Sequence, residues 1–328
     1  WRNDEAVSGN KQVLVGDVGG THARFAVVDT ATTPWTISSR LDLDTDFADF
    51  TGALRRYLDS VRLATLPSAA SIAVAGPVSG GKVTFTNRNW TISESDLRGF
   101  GFANALLIND FAALAFAVGA LPPASIHTIG PELPGMAGEP VTILGAGTGF
   151  GASCLARFRG RSVPVATEGG HAGFAPGNDR EADVFKVLAR RFGHVSIERV
   201  LSGPGIENLY AALAELDGRK AATLAAPDIV ARRMTDKACG EAVDMFCAIY
   251  GSVAGDFALA HGARGGVYIA GGIALKIEQV LEASAFRSRF ESKGRMSPYV
   301  KAIPTRLILS EDTAFLGAAG ASLEYGGR

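Results

Sequence analysis

Short apolar runs alternate with amphipathic stretches along the first third of the chain. An apolar run bounded by turn-forming residues predicts a buried strand, and apolar side chains at helical spacing predict a helix. The predicted strands lie at 13–15, 25–28, 35–43, 70–75, 82–86 and 105–108. The predicted helices lie at 47–64 and 111–121. Strands that alternate with helices in this way are typical of an α/β sheet with helices on its faces.

The same pattern resumes after residues 122–139, a proline-containing stretch that we expect to be mostly irregular. Because a chain of 328 residues allows roughly two domains, we place the crossing between them at about Leu121. Beyond the crossing, predicted strands flank a glycine turn within 141–158 and also lie at 266–270 and 306–309. The predicted helices lie at 179–192, at 205–216, at 228–259 with a break near Gly240, and at 313–323.

A glycine-bearing turn joins two apolar strands within residues 13–29 and predicts a β-hairpin. Glycines let backbone N–H groups approach an anion closely and the threonine adds a hydroxyl, so the turn suits a phosphate group. A carboxylate beside a phosphate indicates a divalent cation between the two negative charges. The alternative is an ordinary hairpin whose glycines supply positive φ angles. The turn residues are Gly16, Asp17, Val18, Gly19, Gly20 and Thr21.

A second segment of the same kind lies at 141–158, where Gly147, Thr148 and Gly149 occupy the turn and no carboxylate does. Two strand–turn–strand segments about one domain length apart indicate two related halves, each offering a phosphate cradle. We therefore expect a nucleotide to bind between the two hairpins. A metal ion is expected only near Asp17, because the second turn has no acidic residue.

The composition narrows the class of protein. With 47% hydrophobic and 20% charged residues, the chain suits a soluble globular protein. The formal net charge of −1 and the pI near 6.6 give no electrostatic reason to expect a nucleic acid or an anionic membrane as partner. The three cysteines form no CxxC pair, so we expect reduced, buried thiols in a cytoplasmic protein. We see no export signal and no run that approaches the length of a membrane span.

Eight sequence blocks occur in an order that is characteristic of one family. They are GDVGGTHARFA, AGPV, TNRNW, LINDFAA, GAGTGFG, EGGH, ERVLSGPG and IAGGI. In these blocks, from about residue 13 to about residue 320, the chain resembles the bacterial glucokinases of the sugar kinase and actin-like ATPase superfamily. The resemblance implies an α/β, two-domain actin-like ATPase (ribonuclease H-like) fold with a cleft between the lobes. It also implies that the terminal helix returns to the first domain, giving a small domain of 1–121 plus about 311–328 and a large domain of 122–310.

The same resemblance implies a function and a set of site residues. The implied activity is transfer of the γ-phosphate of ATP to the 6-hydroxyl of D-glucose, giving glucose 6-phosphate and ADP at the entry to glycolysis, by a cytoplasmic homodimer. The implied glucose ligands are Asn109, Asp110, Glu168, His171 and Glu198, with Asp110 as the general base. The implied ATP ligands are the six residues of the first turn together with Gly147, Thr148, Gly149, Gly271 and Gly272. Mg²⁺ would be held near Asp17, directly or through water.

Several of these residues also have a plainer structural interpretation. Asp110 follows an apolar strand and precedes a helix, at the sheet edge where ligands bind in open α/β folds. Its carboxylate can take the proton of an attacking sugar hydroxyl, or it can simply cap the helix. Residues 168–171 can bind sugar hydroxyls or form a solvated loop, and Glu198 can bind sugar, pair with Arg199 or cap a helix. Residues 271–272 can contact adenosine or form a strand-to-helix turn.

Two other functions compete with glucose phosphorylation. One is phosphorylation of another hexose or of an acylamino sugar by the same fold. The other is a non-catalytic ATP- or sugar-binding switch of the actin-like type that engages a protein partner. Sugar-dependent production of ADP separates an enzyme from a switch. The presence of Asp110 favours an enzyme, because a binding protein needs no base at that position.

Overall fold

The computed structural model describes residues 11–19, 22–44, 47–85 and 90–326. Its strands are β1 (Gln12–Val18), β2 (His22–Asp29), β3 (Thr36–Asp44), β4 (Ala69–Val74), β5 (Lys82–Thr84), β6 (Thr91–Ser93), β7 (Asn104–Asn109), β8 (Ile126–Thr128), β9 (Val141–Ala146), β10 (Phe150–Phe158), β11 (Arg161–Thr167), β12 (Gly266–Ala270) and β13 (Thr305–Ile308). Its helices are α1 (Phe50–Val61), α2 (Glu94–Gly99), α3 (Asp110–Ala117), α4 (Asp179–Phe192), α5 (Gly203–Leu216), α6 (Ala226–Arg232), α7 (Lys237–His261), α8 (Gly272–Lys276), α9 (Glu278–Ala283), α10 (Phe286–Glu291), α11 (Ser297–Lys301) and α12 (Thr313–Tyr325). Short 3₁₀ turns lie at Pro123–Ser125, Gly169–His171, Ile197–Arg199 and Gly294–Met296.

The chain up to Pro123, together with the part from Glu311 onward, forms a first compact unit. Its main sheet has the order β3-β2-β1-β4-β7, in which β1, β4 and β7 are parallel and β2 and β3 are antiparallel to their neighbours. The ring of Phe25 lies in the core, with its centroid 6.1 Å from that of Phe50 and 5.3 Å from that of Tyr57. The C-terminal helix α12 packs against α3, β1 and β4 of this unit.

The second compact unit is Ala124–Ser310. Its sheet has the order β11-β10-β9-β12-β13-β8, and β9, β12 and β13 are parallel. Apart from the added strand β8, this order repeats that of the first unit, with β9, β10 and β11 in the places of β1, β2 and β3. The sequence prediction of two related halves, each with a strand–turn–strand hairpin, is therefore confirmed.

Side-chain caps decide where several helices begin. The predicted helix at 179–192 is confirmed, and the Asn178 side chain caps its first turn. The helix predicted at 205–216 begins at Gly203 instead, because the Ser202 side chain caps α5. Capping is a local interaction between residues close in sequence, so these helix starts could be found from the sequence by reading the polar residue ahead of the apolar pattern.

The long helical stretch predicted at 228–259 is broken earlier than expected. The prediction of a break near Gly240 is wrong, since the structure places the break between α6 and α7, where Asp236 caps α7. Gly240 lies inside α7, and a Cβ there would come within 2.8 Å of the Arg233 carbonyl oxygen. The glycine thus allows the end of α6 to approach α7 closely, which is a packing role rather than an interruption.

Residues 122–139 are less irregular than expected. They include β8, which pairs antiparallel with β13 at the edge of the second sheet. The strand spans three half-buried residues, so it shows no clear alternation of buried and exposed positions. A strand this short is defined by its pairing with β13 and not by a pattern in its own sequence, so the sequence did not predict it.

Helix α7 is long and apolar enough to span a membrane by length and composition alone, so the expectation that no run approaches that length is wrong. However, 67% of its most apolar window is buried inside the structure, as is usual for the core helix of a soluble protein. Cys239 and Cys247 lie on this helix, and both are free and buried, as is Cys154 of β10. The expectation of buried, unpaired thiols is confirmed.

Candidate active site

The first glycine turn joins β1 to β2, whose register places Asp17 directly opposite Arg24. The Arg24 guanidinium forms an ion pair with Oδ2 of Asp17, and both side chains are partly exposed. Gly19 begins the turn, and its N–H donates to the His22 carbonyl oxygen at 3.0 Å. Gly20 and Thr21, which the sequence also assigns to phosphate binding, lie outside the described residues.

Two other residues of the first turn belong to strand β1 itself. A Cβ on Gly16 would lie 2.8 Å from Cδ1 of Ile72 and 3.1 Å from the Phe25 ring, so a larger residue would have to displace these buried side chains. The Val18 side chain is fully buried in the core. Gly16 and Val18 therefore belong to the packed strand that leads into the turn. Among the described residues, Asp17 and Gly19 lie at the accessible end of the turn.

Asp110 is the first residue of α3, directly after the carboxyl end of β7. Its Oδ1 accepts a hydrogen bond from the Phe111 N–H at 2.9 Å. Burial raises the pKa of Asp110 to about 6, and the negative charge of Asp17 adds to this shift, while the bond from Phe111 opposes it. The helix cap is Asn109, so the interpretation of Asp110 as a plain N-cap is wrong.

The Asn109 side chain forms hydrogen bonds through both its oxygen and its nitrogen. Its Oδ1 accepts from the Ala112 N–H at 3.2 Å and so caps α3, and its Nδ2 donates to the Gly76 carbonyl oxygen at 3.3 Å. The Asn109 side chain also hydrogen-bonds the Asp110 carboxylate, which lowers the pKa of Asp110, so one acceptor lone pair of its Oδ1 is left for a ligand. Asn109 therefore fixes the geometry of the strand-to-helix junction beside Asp110 and can still bind one further group.

The second glycine turn joins β9 to β10 and is closed by two backbone hydrogen bonds. The Gly147 N–H donates to the Gly149 carbonyl oxygen at 2.8 Å, and the Gly203 N–H donates to the Gly147 carbonyl oxygen at 2.8 Å. Thr148 lies at the tip and is exposed. The turn is thus attached to the start of α5, a contact that the hairpin pattern alone did not predict.

A cavity of about 510 Å³ opens beside this turn in the second unit. Of the predicted nucleotide residues, Gly147, Thr148 and Gly272 line it. Sequence reasoning missed the other lining residues, which are Gly203, Pro204, Ile206, Glu207, Ala226, Pro227, Val230, Ala231, Ile273, Lys276 and Ile277. Most of them are apolar residues of α5, α6 and α8, and helical apolar positions look alike whether they face a core or a ligand. The walls are mainly apolar, as is usual for a small-molecule pocket.

Gly271 and Gly272 have different roles at the junction of β12 and α8. Gly271 has a φ of 93°, and a Cβ there would lie 2.5 Å from the Ala146 carbonyl oxygen. It is therefore needed for the strand-to-helix turn, as the plainer interpretation predicted. Gly272, in contrast, has open space around its Cα and lines the cavity.

The segment from Glu168 to His171 forms a 3₁₀ turn packed against the second hairpin. A Cβ on Gly170 would lie 2.1 Å from the Phe150 carbonyl oxygen, and one on Gly169 would lie 2.6 Å from the Phe257 ring. The two glycines thus allow the segment to lie flat on its neighbours. Glu168 and His171 remain exposed, and in the described part of the chain no hydrogen bond or ion pair of their side chains is recorded.

Backbone hydrogen bonds bring this segment next to Glu198. The Ile197 N–H donates to the Ala172 carbonyl oxygen at 2.9 Å, and the Phe174 N–H donates to the Val195 carbonyl oxygen at 2.9 Å. The two loops therefore run side by side. The structure thus brings together three of the predicted glucose ligands, Glu168, His171 and Glu198, within the second unit.

Glu198 makes a contact that sequence reasoning did not anticipate. Its Oε2 accepts a hydrogen bond from the Phe150 N–H at 2.9 Å. In the described residues it forms no ion pair with Arg199, whose guanidinium lies 4.3 Å from the centroid of the Phe192 ring. It does not cap a helix either, because Ser196 precedes the 3₁₀ turn that contains Glu198.

The acidic groups of the site limit which metal ion could be held. Within the described ranges, no group of three or more His, Cys, Asp or Glu side chains is arranged to hold a metal. Asp17 has one oxygen in its pair with Arg24, which leaves Oδ1 for a cation. A single carboxylate oxygen suits Mg²⁺, which keeps several waters and takes further ligands from a phosphate chain.

Comparison with known proteins identifies the family. A family model described as Glucokinase matches residues 14–324. The glucokinase of Caulobacter sp. (strain K31) is 48% identical over 309 residues, which cover 93% of this chain and 93% of that protein. The chain belongs to the bacterial glucokinase family. The predicted family is thereby confirmed.

Solved glucokinase structures share the fold. A glucokinase from an Antarctic psychrotroph is 37% identical, with a TM-score of 0.89, and the match covers 95% of this chain and 98% of that one. A glucokinase from Balamuthia mandrillaris, solved in complex with glucose, is 20% identical, with a TM-score of 0.73 over 96% of this chain and 94% of its own. The prediction of an α/β actin-like fold with two sheets in two lobes is confirmed.

Proposed function

We propose that this protein transfers the γ-phosphate of ATP to the 6-hydroxyl of D-glucose, forming glucose 6-phosphate and ADP. Its membership of the glucokinase family supports this reaction. The structural observation that carries the proposal is the Asp110 carboxylate, which lies at the carboxyl end of β7 with a pKa raised to about 6. We place the reaction in the cytoplasm, at the entry of glucose into glycolysis.

Asp110 is the proposed general base. A pKa of about 6 leaves most of the carboxyl groups ionised at neutral pH while making them more basic than an ordinary aspartate. Its Oδ1 is bonded to the Phe111 N–H, so Oδ2 is the atom that takes the proton. The 6-oxygen of glucose attacks the γ-phosphorus as its proton passes to Asp110, and the bond between that phosphorus and the oxygen of ADP breaks.

Asn109, Glu168, His171 and Glu198 are the proposed partners of the other glucose hydroxyls. Carboxylates accept hydrogen bonds from hydroxyls, and a neutral imidazole offers one donor and one acceptor. The hydrogen bonds that hold the loops of Glu168 and Glu198 side by side support a joint role. A hydroxyl or carboxylate left unpaired in such a site costs about 1–3 kcal/mol, so the set would discriminate among hexoses.

The cavity beside Gly147 and Gly272 is the proposed site for the base and ribose of ATP, because apolar walls suit a flat base. Gly19, Gly20 and Thr21 of the first turn and Gly147–Gly149 of the second turn are proposed to surround the phosphates. Because the N–H groups of Gly19 and Gly147 already donate to carbonyl oxygens of the protein, the N–H groups of Thr148 and Gly149 are the proposed donors in the second turn. Asp17 would hold Mg²⁺ through Oδ1, directly or through water, while Arg24 keeps Oδ2. When bound, Mg²⁺ would neutralise charge on the β- and γ-phosphates.

A coupled assay of ADP release tests the proposed function. Glucose, fructose, mannose and N-acetylglucosamine would each be supplied with ATP and Mg²⁺, and we expect glucose to give the highest kcat/KM. A higher value for another sugar would reassign the substrate within the same fold. Nucleotide binding without any sugar-dependent ADP release would contradict the enzyme and favour the binding switch.

The same proposal includes a homodimer, which is supported by the family resemblance. Sedimentation velocity of the purified protein at micromolar concentration measures its mass directly. We expect a species of twice the chain mass of 34.1 kDa. A single species at the chain mass would contradict the dimer and leave the catalytic proposal unaffected.

A further inference from the structure

We propose that Glu198 is a positioning residue for the nucleotide as well as a ligand of the sugar. Its Oε2 holds the glycine turn of the second hairpin in the conformation that binds phosphate, and its Oε1 is left for glucose. The inference rests on the proposed function for the sugar half of this role. The nucleotide half rests on contacts within the second unit and can be tested without turnover.

The segment that runs from Glu198 to Gly203 holds the turn at both of its ends. At one end, Glu198 Oε2 accepts from the Phe150 N–H at 2.9 Å. At the other end, the Gly203 N–H donates to the Gly147 carbonyl oxygen at 2.8 Å. Between these two bonds lie Thr148 and Gly149, the residues proposed to bind phosphate. The conformation of the turn is therefore set by a segment that lies 48 residues further along the chain.

The packing around Gly149 shows that the carboxylate is fitted closely to the turn. A Cβ at this position would lie 2.5 Å from Glu198 Oε2, a distance that real Cβ atoms do not show. The glycine therefore makes room for the carboxylate. On the other side, the Phe150 carbonyl oxygen lies against Gly170, so the same residue touches both of the loops that carry glucose ligands.

The holding segment is itself hydrogen-bonded to the start of α5. The Ser202 hydroxyl donates to the Glu198 carbonyl oxygen at 2.8 Å and accepts from the Gly205 N–H at 3.0 Å, and the residue is 1% exposed. These bonds join Glu198 to the N-terminus of α5, whose residues Gly203 and Pro204 line the nucleotide cavity. A displacement of Glu198 would thus reach both the phosphate turn and the cavity wall.

The energetic reason for the role is that the buried Phe150 N–H needs a hydrogen-bond acceptor. Hydrogen bonds to ionised groups are shorter and stronger than neutral ones, and loss of the acceptor would leave the Phe150 N–H without a partner in a largely buried position. The turn would then populate other conformations. Because a ligand binds only the competent fraction, its measured affinity falls in proportion.

Calorimetric titration with a non-hydrolysable ATP analogue and Mg²⁺, in the absence of glucose, tests this role. For Glu198→Ala we expect the dissociation constant of the analogue to rise about tenfold. The matched control is Glu168→Ala, which removes a glucose ligand that no recorded bond connects to the turn, and its dissociation constant for the analogue should stay within about twofold of the wild type. Equal constants for the two variants would overturn the proposal.

Two conservative variants complete the test. Glu198→Gln retains a carbonyl oxygen that can accept from Phe150, so it should restore most of the affinity for the analogue while glucose binding stays weak. Glu198→Asp keeps the charge but is shorter by one methylene, and it should weaken analogue binding severalfold. If Glu198→Ala does not fold, the aspartate variant decides the question, and wild-type affinity in it would contradict the proposal.

Failure of this inference and failure of the proposed function give different results. A wild-type enzyme that phosphorylates glucose, with analogue binding insensitive to Glu198, would refute the positioning role alone. Sugar-free analogue binding that depends on Glu198, in a protein that does not phosphorylate glucose, would refute the proposed function alone. In steady-state kinetics, we expect Glu198→Ala to raise KM for both ATP and glucose. Glu168→Ala should raise KM for glucose only.

Discussion

The two units share one strand order, and they differ in where each keeps the carboxylate nearest its glycine turn. In the first unit the acid is Asp17, part of strand β1 itself, and its partner Arg24 lies opposite on β2. In the second unit the turn contains no acid, and Glu198 reaches it from a separate loop. The same topology thus provides the glycine turn in both units. The carboxylate near the turn comes from the hairpin itself in the first unit and from a loop further along the chain in the second.

This difference separates two tasks. A carboxylate inside the hairpin, next to the phosphate, suits a cation that bridges the two. A carboxylate that accepts a hydrogen bond from the Phe150 N–H, at the end of the turn, suits the task of fixing the conformation of the turn. A duplicated fold can thus keep the same strand order in both copies while their carboxylates take different roles.

The largest expected effect comes from removing the proposed base, Asp110, which belongs to the first unit. Asp110→Asn should lower kcat by about 10²–10⁴-fold, because the amide cannot take the proton of the 6-hydroxyl. Its thermal midpoint should stay the same or rise, since burial opposes the charge of Asp110. Steady-state kinetics and a thermal scan measure both. Activity close to that of the wild type would remove Asp110 from the mechanism.

The next effect concerns stability and contrasts ion pairs of the two units. In the second unit, Arg289 forms a double hydrogen bond with Glu181, whose side chain is 1% exposed. Arg289→Ala leaves that carboxylate buried without its cationic partner, with only the hydrogen bonds from the Gly177 N–H and the Asn178 side chain, so the free energy of unfolding should fall by about 3–5 kcal/mol in urea denaturation. The control is Arg40→Ala in the first unit, which breaks more exposed pairs and should cost less than about 1 kcal/mol. Similar losses for the two variants would show that burial does not set the strength of these pairs.

A smaller effect tests the acid of the first hairpin. Asp17→Asn should weaken the apparent affinity for Mg²⁺ by about 10–100-fold, because the neutral amide holds the ion and its waters less well. Mg²⁺ dependence of the rate at saturating glucose and ATP measures this. Asp42→Asn, an acid of strand β3 that pairs with Arg40, is the control and should leave the Mg²⁺ dependence unchanged. An unaltered dependence in Asp17→Asn would place the metal elsewhere.

The smallest effect is the pH dependence of the wild-type enzyme. The pKa of Asp110 is raised to about 6, and only the ionised form can act as base, so kcat/KM should be constant above neutral pH and fall as the pH drops through about 6. The loss should approach tenfold for each further pH unit. An acid limb near the ordinary pKa of an aspartate would show that burial does not perturb the group in the working enzyme.

Much of the fold could be predicted because its signals are local. Each glycine turn lies between two apolar strands that pair directly, so the hairpins of β1–β2 and β9–β10 follow from adjacent residues. The position of Asp110 at the end of β7 follows in the same way. One error arose where a local signal had its cause outside its own helix, as at Gly240, whose lack of a side chain serves the approach of Arg233 at the end of α6.

The sequence by itself determined the family, the two related halves and the identity of the candidate chemical groups, because these depend on residue type and on spacing within single elements. Only the tertiary structure decided that α5, α6 and α8 wall a cavity and that Glu198 holds the second turn through Phe150. The physical reason is that such contacts join residues far apart along the chain. Their geometry is set by how whole helices and strands pack, which no local pattern of apolar and polar residues records.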